Sequence, residues 1–422
     1  MAQAPQFTPV LLGSDMNVYG MARAFNEAYG ISVDAYAEAN LAPTRYSKIV
    51  HVHYIEGFTE DPGFSNAMQE IAAKYATHPE PVFLIACGDG YAELISKHKE
   101  ELAKTFICPY VDYSLLKRLN DKESFYHVCD EFGLPYPKTK IITRDMYEND
   151  QNMDVPFDYP ISLKPANSVE WLDIHFEGRK KAFTIHSEDE YRDIIAKIYD
   201  NGYLSDVILQ DYIPGDDSNM RVLNVYVDQY HKVKMMCLGH PLLEDPTPAA
   251  IGNYVAIIPD YSLKIYKQIQ AFLEKINYTG FANFDMKYDR RDKQFKLFEI
   301  NIRQGRSSFF VTLNGYNLAS YLVNDYVTKT LADTPIVYGN KDKSKYQLWL
   351  GVPKRTFEKY AANNKAKKAA MYLIHHKRYG TTVFYKNDMN PKRWVLLQYM
   401  FFRYVKRYRE YFAENKGRKD QQ

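Results

Sequence analysis

The sequence predicts a mixed α/β protein, and three observations support this fold class. Apolar strand patterns alternate with helical patterns through the first hundred residues, which is typical of a parallel sheet with helices on its faces. Strand patterns then follow one another between about residues 207 and 302, so this part has α+β character. The stretch from about residue 365 to 412 has the periodicity of helices.

The first 115 residues are predicted to form one domain of alternating strands and helices. Strand patterns occur in PVLLG (9–13), KIVHVHYI (48–55) and PVFLIACGDG (81–90), and helical patterns span 21–29 and 92–106. The turns GSDMNVYG and CGDGYAE lie between these elements, where a helix amino terminus can bind phosphate. Neither has the GxGxxG spacing of a dinucleotide site, and no ribose-binding acid follows at the usual distance. We expect a Rossmann-like domain whose turns shape a small-molecule site, with an NAD-dependent oxidoreductase as an alternative.

A second unit is predicted over residues 116–205. Its first helix begins after Asp121 and ends at Gly133, because two prolines follow that glycine closely. YPISLKPAN (159–167) is a strand that ends at a Lys-Pro pair. AFTIHSEDEYRDIIAKIYDNGY then combines a short strand with a helix.

A third unit, residues 206–335, is rich in strands. It starts with VILQDYIPGDD (207–217), continues with three further strand patterns and includes one helix over 262–276. GFANFDMKYD (280–289) and FKLFEINIRQGRSS (295–308) are two strands that a charged loop joins as a hairpin.

The composition excludes several classes of protein. Hydrophobic residues make up 46% and charged residues 25%, without a biased tract, as in ordinary globular proteins. The start, MAQAPQF, lacks the pattern of a signal peptide, and no apolar run reaches the length of about 18 residues that a spanning helix needs. The cysteines form no CxxC pair and no metal-binding spacing, so we expect buried free thiols and a cytoplasmic protein. They are Cys87, Cys108, Cys129 and Cys237.

A fourth, basic and mostly helical unit is predicted over residues 336–422. From Lys341 to the end there are 21 Lys and Arg against 6 Asp and Glu, although the whole chain carries a net charge of only +2. Such a segment suggests a polyanionic partner or an anionic membrane surface, and a solvated helical face is the alternative.

The most informative group of polar residues is Asp285, Glu299 and Asn301. Asp285 lies on one strand of the predicted hairpin, and Glu299 and Asn301 share one face of the next. Three converging oxygen ligands suit Mg²⁺, whereas the alternative is a polar pair on a solvated sheet face. Arg303 and Arg306 follow at once and are candidates to neutralise a phosphoryl group or bind a carboxylate.

Two lysines are candidates to bind phosphate. Lys164 lies at a strand end before a proline, and Lys122 lies at a helix start, although a single lysine is more often a surface charge. In VILQDYIPGDD, the backbone after the strand is a candidate to bind adenine, and Asp217 to bind ribose hydroxyls. In isolation this stretch is equally well explained as a capped turn.

The order of these features resembles the ATP-grasp superfamily over about residues 120–310. The resemblance implies an ATP-dependent ligase that uses Mg²⁺, and Arg303 lies where several members of the superfamily have an anion-binding arginine. We expect Lys164, Arg303 and Arg306 to be the catalytic residues. The matching nucleotide and metal residues are Lys122 and Lys164 for phosphate, Gln210, Asp211, Tyr212 and Ile213 for adenine, Asp217 for ribose, and Asp285, Glu299 and Asn301 for magnesium.

One loop departs from the superfamily pattern. The loop that covers the phosphates is usually glycine-rich, yet ANSVEWLDIHFEGRKKAF has only Gly178. Ser168, Lys180 and Lys181 are the candidates to contact phosphate instead. We expect residues 165–185 to form a mobile lid that keeps water from a reactive intermediate.

A closer resemblance extends from the amino terminus to about residue 385. The segments LAPTRYSKIV, QDYIPGDDSNMRVLN, CLGHPLLEDPTPA, FEINIRQGRSSFFVTLNG and RYGTTVFY resemble the D-aspartate ligase family of Gram-positive cell-wall synthesis. This resemblance implies that ATP activates the β-carboxylate of D-aspartate. The aspartyl group is then joined to the lysine ε-amino group of the UDP-linked muramyl pentapeptide.

Other functions remain open at this point. One is an ATP-grasp ligase with other substrates, and another is a non-catalytic module that binds a membrane or nucleic acid through the basic carboxyl-terminal segment. We expect no nucleic-acid partner, and a peripheral contact with the inner membrane surface is a further hypothesis. It depends on 394–412, where Trp394, Leu397, Phe401, Tyr404, Val405, Tyr408 and Phe412 form an apolar stripe. Packing of that stripe on the core is the alternative.

Overall fold

The computed structural model describes residues 6–167, 170–180, 182–250 and 252–415, and these residues form three β-sheets surrounded by helices. The first sheet is parallel, with the strand order β3-β2-β1-β4. Its elements are β1 (Thr8–Leu12), α1 (Met16–Tyr29), β2 (Val33–Ala37), β3 (Val50–Tyr54), α2 (Gly63–Tyr75), β4 (Val82–Ala86), α3 (Asp89–Lys97) and α4 (Lys99–Leu102). Strands β1 and β4 are apolar and mostly buried, whereas the edge strand β3 contains exposed histidines.

The first helix begins five residues earlier than the sequence pattern predicts. Asp15 caps α1, and its carboxylate accepts hydrogen bonds from the backbone N–H groups of Asn17 and Val18. Gly20 therefore lies inside the helix rather than in a turn. A Cβ at Gly20 would lie 3.4 Å from Phe309, so this glycine allows close packing.

The second sheet is small and antiparallel, with the order β5-β8-β6-β7. It follows two helices, and the second of these begins after Asp121 and ends before Gly133, as predicted. Gly133 adopts φ 61°, a left-handed conformation that favours glycine. The elements are α5 (Tyr113–Asn120), α6 (Lys122–Phe132), β5 (Thr139–Ile142), α7 (Arg144–Glu148), β6 (Ile161–Pro165), β7 (Phe183–Ile185), α8 (Glu188–Asp200) and β8 (Val207–Asp211).

The third sheet is the largest and includes the predicted hairpin. Its path is β13-β12-β9-β10-β11-β15-β16, and β14 pairs with β10. The elements are β9 (Met220–Val227), β10 (Val233–Glu244), β11 (Tyr254–Pro259), α9 (Leu263–Lys275), β12 (Gly280–Asp289), β13 (Gln294–Asn301), α10 (Phe309–Leu313), α11 (Leu318–Tyr326), β14 (Val337–Tyr338), β15 (Leu348–Leu350), α12 (Lys354–Tyr360), α13 (Lys365–His375), β16 (Tyr379–Gly380) and α14 (Pro391–Asn415).

The carboxyl-terminal segment contributes strands as well as helices. The helical pattern predicted over 365–412 is interrupted between α13 and α14, where β16 pairs with β15 at the edge of the large sheet. The predicted apolar stripe of α14 packs on the core for much of its length, since Leu397, Phe401, Tyr404 and Tyr408 are buried. Trp394, at the start of the stripe, is instead 52% exposed.

A shared hydrophobic core joins the first sheet to the large sheet. Leu11 and Phe83 of the first sheet belong to the same buried cluster as Val222 and Tyr226 of β9 and Phe401 of α14. Within the described residues, no helix combines the length and apolarity that crossing a bilayer requires.

The cysteines are free thiols, as predicted, and three of them are buried. Burial raises the pKa of the thiols of Cys87, Cys129 and Cys237. The prediction of a buried side chain is wrong for Cys108, which is only partly covered.

Candidate functional site

A cavity of about 640 Å³ lies between the small sheet and the large sheet. Polar residues of β6, β8, β10, β12 and β13 line it, together with the start of α6 and the loops that follow β6 and β8. The predicted residues that line it are Lys122, Lys164, Lys180, Gln210, Asp211, Tyr212, Ile213, Asp217, Asp285 and Glu299. The structure thus brings together most of the predicted nucleotide-binding residues in one cleft.

Two carboxylates face each other on the floor of the cavity. Asp285 of β12 is the direct cross-strand partner of Glu299 of β13, and a bulge follows Asp285 in this ladder. Asn301 lies two residues further along, and its Nδ2 lies 3.4 Å from Asp285 Oδ2. The three predicted metal ligands are therefore neighbours on one sheet face.

This acidic pair is electrostatically costly without a cation. Burial and the neighbouring Glu299 carboxylate raise the pKa of Asp285, and Asp285 Oδ1 is buried without a hydrogen-bond partner in the described part of the protein. A hard divalent cation would relieve both costs, and two carboxylates with an amide oxygen are suitable ligands for Mg²⁺. No group of three His, Cys, Asp or Glu side chains that could hold a metal occurs among the described residues. With only two carboxylates and one amide oxygen as candidate ligands, other coordination positions of an Mg²⁺ ion would be left to water and phosphate.

The two predicted arginines lie beside the cavity rather than in its wall. Arg303 Nη2 donates to Asn301 Oδ1 at 3.3 Å and to Asp89 Oδ2 at 2.6 Å, so it connects the candidate metal ligand Asn301 to the start of α3. Arg306 lies close enough to Asp15 to lower the pKa of that carboxyl, although burial raises it more. Both guanidinium groups therefore lie near the amino-terminal domain.

The predicted phosphate-binding lysines approach the cavity from three elements. Lys122 is the first residue of α6, Lys164 lies on β6, and Lys180 lies in the loop between β6 and β7. In this loop the indole of Trp171 donates to the Lys180 carbonyl at 3.1 Å, and Arg179 lies over its ring at 5.2 Å. The described part of the predicted lid is thus packed around Trp171.

Ser168 and Lys181, the other two residues predicted to contact phosphate, lie outside the described residues. Their assignment therefore stays a prediction.

The hinge after β8 is held in place by side chains from other elements. Gln210 is buried and donates to Tyr126 of α6 at 2.7 Å and to Thr139 at 3.0 Å. Asp211 accepts two hydrogen bonds from Arg291, each of 2.9 Å, in a bidentate pair. This pair joins the small sheet to the hairpin that carries Asp285 and Glu299.

Three functional candidates were missed by reasoning from the sequence. Lys287 is buried, donates to the Ile213 carbonyl at 2.7 Å and lies 5.2 Å from the Tyr212 ring. Glu244 and Tyr254 line the cavity close to Asp285. A hydrogen bond with Tyr254 lowers the pKa of the Asp285 carboxyl, and the charge of Glu244 raises it. Strand periodicity could have found Lys287, which lies two residues after Asp285, whereas Glu244 is marked only by a charge at the end of an apolar strand.

The whole chain, and not only the site, resembles a characterised enzyme. No protein-family model matches the sequence. The chain is 60% identical over 415 residues to a D-aspartate ligase from Enterococcus faecium (strain Aus0004), and the match covers 98% of both chains. The chain belongs to the D-aspartate ligase family. D-aspartate ligases are ATP-dependent enzymes that form a carbon–nitrogen bond, so the predicted family and enzyme class are confirmed, with ATP and Mg²⁺ as cofactors.

Solved structures confirm the ATP-grasp fold of this D-aspartate ligase family member. The biotin carboxylase domain of Hydrogenobacter thermophilus 2-oxoglutarate carboxylase, in complex with MgADP and bicarbonate, has a TM-score of 0.57 at 14% identity, over 81% of this chain and 73% of that one. N5-carboxyaminoimidazole synthetase from Staphylococcus aureus, complexed with ADP, has a TM-score of 0.56 at 13% identity over 78% of both chains. An L-amino acid ligase from Bacillus licheniformis has a TM-score of 0.50 at 14% identity, over 79% of this chain and 76% of that one.

Proposed function

We propose that this enzyme activates the β-carboxylate of D-aspartate as an acyl-phosphate. It then joins the aspartyl group to the lysine ε-amino group of the UDP-linked muramyl pentapeptide, a precursor of peptidoglycan. The observation that carries this proposal is the 60% identity to a D-aspartate ligase along nearly the full length of both chains. The cavity supports it, because lysines and a facing pair of carboxylates are what MgATP binding requires.

The nucleotide is assigned to the cavity between the small sheet and the large sheet. The adenine ring lies against the hinge from Gln210 to Ile213, Asp217 accepts hydrogen bonds from the ribose, and Lys122 and Lys164 bind phosphate oxygens. Asp285, Glu299 and Asn301 would hold Mg²⁺, which spreads the charge of the phosphoryl group during transfer. These assignments are supported by the positions of the other residues around one cavity and by the 3.4 Å distance from Asn301 Nδ2 to Asp285 Oδ2.

Phosphoryl transfer makes the carboxylate reactive. A β-carboxylate oxygen of aspartate attacks the γ-phosphorus of ATP, the bond to the bridging oxygen breaks, and ADP leaves. Lys164 stabilises the negative charge on the phosphoryl oxygens, while Arg303 and Arg306 bind the aspartate carboxylates so that two anions can approach each other. The loop around Trp171 and Lys180 excludes water, because an acyl-phosphate hydrolyses easily.

Amide formation completes the reaction. The neutral amine attacks the carbonyl carbon of the acyl-phosphate and gives a tetrahedral oxyanion, which collapses as phosphate leaves and the nitrogen loses a proton. Arg303 lies beside Asn301 and is positioned to stabilise the oxyanion.

The decisive experiment measures ADP release with D-aspartate, L-aspartate, D-glutamate and D-alanine, each with and without the UDP-linked pentapeptide. We expect sustained ADP release only with D-aspartate and the pentapeptide together, and a product heavier than the acceptor by one aspartyl residue. Equal turnover with L-aspartate, or with another amine acceptor in place of the pentapeptide, would contradict the proposed substrates.

An isotope experiment tests the intermediate separately. With ¹⁸O in the β-carboxylate of D-aspartate, the acyl-phosphate route transfers one labelled oxygen to the released phosphate. Unlabelled phosphate, or release of AMP instead of ADP, would indicate a different mode of activation.

A further inference from the structure

The outer face of helix α14, opposite its buried stripe, is rich in exposed large apolar side chains. Of the eleven exposed large apolar side chains among the described residues, four lie within nine consecutive positions of this helix. They are Trp394 at 52%, Val395 at 61%, Tyr399 at 60% and Phe402 at 63% exposure. Isolated exposed apolar residues are common, but such a concentration on one short stretch is not.

The exposed apolar residues continue into a basic row along the same side of the helix. Val395, Tyr399 and Phe402 are spaced by four and three residues, and Lys406 and Arg409 extend the row with the same spacing. Both basic residues are exposed. One side of α14 is therefore apolar in its first half and cationic in its second half.

The other basic residues of α14 divide into engaged and exposed groups. Arg393 and Arg407 form ion pairs with Asp388 and Asp245. Lys392 and Arg403 are exposed and flank the apolar half. The outer face thus presents four exposed cations around the aromatic side chains. Among the residues of α14 whose side chains are described, Glu410 is the single exposed acid.

We propose that this outer face of α14, comprising residues 392, 394, 395, 399, 402, 403, 406 and 409, docks on the surface of an anionic lipid bilayer. Aromatic and aliphatic side chains insert at the boundary between headgroups and acyl chains, and Lys and Arg pair with the anionic headgroups. The charge of the face is complementary to such a surface. The apolar half distinguishes it from a face that binds a polyanion through charge alone.

This docking does not depend on the substrates proposed above. The outer face is remote in sequence from the residues that line the cavity, and none of its residues is among them. Catalysis in solution therefore remains intact when the face is altered. The consequence of docking is to hold the enzyme at the surface of a membrane.

The natural tryptophans give a direct probe of docking. The chain has three, of which Trp171 and Trp349 are buried at 4% and 3% exposure and Trp394 is half-exposed on the outer face. Vesicles of equal parts phosphatidylcholine and phosphatidylglycerol should shift the emission of the full-length enzyme to shorter wavelengths. Lipids brominated on their acyl chains should quench it. Vesicles of phosphatidylcholine alone should do neither at low salt.

Vesicle co-sedimentation with two sets of variants separates the apolar and cationic contributions. Val395→Ser, Tyr399→Ser and Phe402→Ser together should weaken the partition coefficient by about tenfold or more, since each removes an inserted apolar side chain. Lys406→Glu with Arg409→Glu should weaken it by about tenfold on anionic vesicles, and salt should reduce wild-type binding in the same way.

Matched controls alter similar residues elsewhere. Leu204→Ser with Tyr230→Ser replaces exposed apolar residues, and Lys341→Glu with Lys377→Glu replaces exposed cations of the same basic segment. Both should sediment with vesicles like the wild type. All variants should keep the wild-type melting temperature and ADP release, because the replaced side chains are exposed.

Three results would overturn the proposal. The first is a wild-type enzyme that ignores anionic vesicles at low salt. The second is vesicle binding that the outer-face variants and the control variants change equally. The third is an outer-face variant that loses self-association in light scattering, or RNA binding in a filter assay, while it still sediments with vesicles.

Discussion

Asp285 and Glu299 illustrate how single residues reveal a site before any ligand is considered. Two carboxylates that are direct cross-strand neighbours repel each other, and one Asp285 oxygen is buried without a partner in the described structure. Such an arrangement lowers the stability of the folded protein, and a bound cation would compensate for this cost. If the pair holds Mg²⁺ as proposed, it lowers the stability of the protein without ligands and is required for catalysis.

We predict that Glu299→Gln separates these effects. ADP formation should fall by about a hundredfold or more, because a ligand and its charge are lost, while the shape of the side chain is kept. The melting temperature without ligands should stay the same or rise, since the repulsion with Asp285 is removed. Asp292→Asn on the same hairpin is the control and should leave both unchanged. Near-normal turnover of Glu299→Gln at ordinary Mg²⁺ would refute the metal assignment.

A second residue-scale prediction concerns His240, which anchors the turn after Asp217. Its Nε2 lies 2.6 Å from the Ser218 carbonyl, and burial, followed by the charge of Arg221, lowers the pKa of its imidazole below the ordinary value of 6.5. Below about pH 6.5 the unfolded chain binds a proton that the folded protein does not, so His240 lowers stability as the pH falls. His240→Gln should therefore lose less thermal stability between pH 7 and 5 than the wild type does.

The control for His240 is His127→Gln, which replaces an exposed histidine of α6. It should follow the wild-type pH profile. Parallel profiles for wild type and His240→Gln would contradict the inference that the pKa of this imidazole is lowered in the folded protein.

At the scale of elements, prediction from the sequence is accurate where the residues that determine an element lie within or next to it. The limits of α6 were predicted to the residue because its cap, Asp121, and its terminator, Gly133, act within one turn. The start of α1 was predicted wrongly, because Gly20 suggests a turn and only the packing against Phe309 explains it. The strands β14, β15 and β16 have two or three residues and no pattern of their own, and form only where they pair with neighbouring strands.

We predict that the cap of α6 positions Lys122 for the nucleotide. The Asp121 carboxylate accepts from Ser124 N–H at 2.8 Å, and Lys122 follows as the first helical residue. Asp121→Ala should cost about 1 kcal/mol of stability and fray the first turn, which raises the KM for ATP several-fold without changing the KM for aspartate.

Ser187→Ala is the matched control for this cap. Ser187 caps α8 by accepting from Glu190 N–H at 3.2 Å, and it does not line the cavity. Its substitution should cost similar stability and leave both KM values unchanged. Equal changes in the KM for ATP in the two variants would mean that lost stability, rather than the position of Lys122, is responsible.

At the scale of the whole molecule, the segments that build the site were predicted, whereas their mutual contacts were not. Spacing along the chain indicates that Glu299 and Asn301 share a face, because strand periodicity is local. It does not indicate that Arg303 reaches Asp89, or that Arg291 pairs with Asp211. Contacts between distant segments depend on how the sheets pack, and no local pattern records that.

One such long-range contact ties the carboxyl-terminal segment to the amino-terminal domain. Asp388 is fully buried and accepts hydrogen bonds from Tyr19 at 2.8 Å and Ser47 at 2.7 Å. Arg393 of α14 is also fully buried, lies 3.3 Å from the Asp388 carboxylate and donates to the carbonyl oxygens of Pro43 and Arg45. The cluster joins three parts of the chain around one buried ion pair.

We predict that Asp388→Asn unfolds the protein more readily than any surface substitution in the same assay. It leaves the Arg393 charge buried without its counter-ion, which costs about 3–5 kcal/mol, and it points an amide toward groups that donate hydrogen bonds. Urea unfolding measures the loss, and Glu101→Gln, which breaks an exposed pair with Lys104, should change stability by less than about 1 kcal/mol. Because α14 packs on the core through the same region, the Asp388→Asn enzyme should also lose ADP release at a lower temperature. A loss as small as that of Glu101→Gln would mean that water reaches Arg393 and that the cluster does not hold the carboxyl-terminal segment in place.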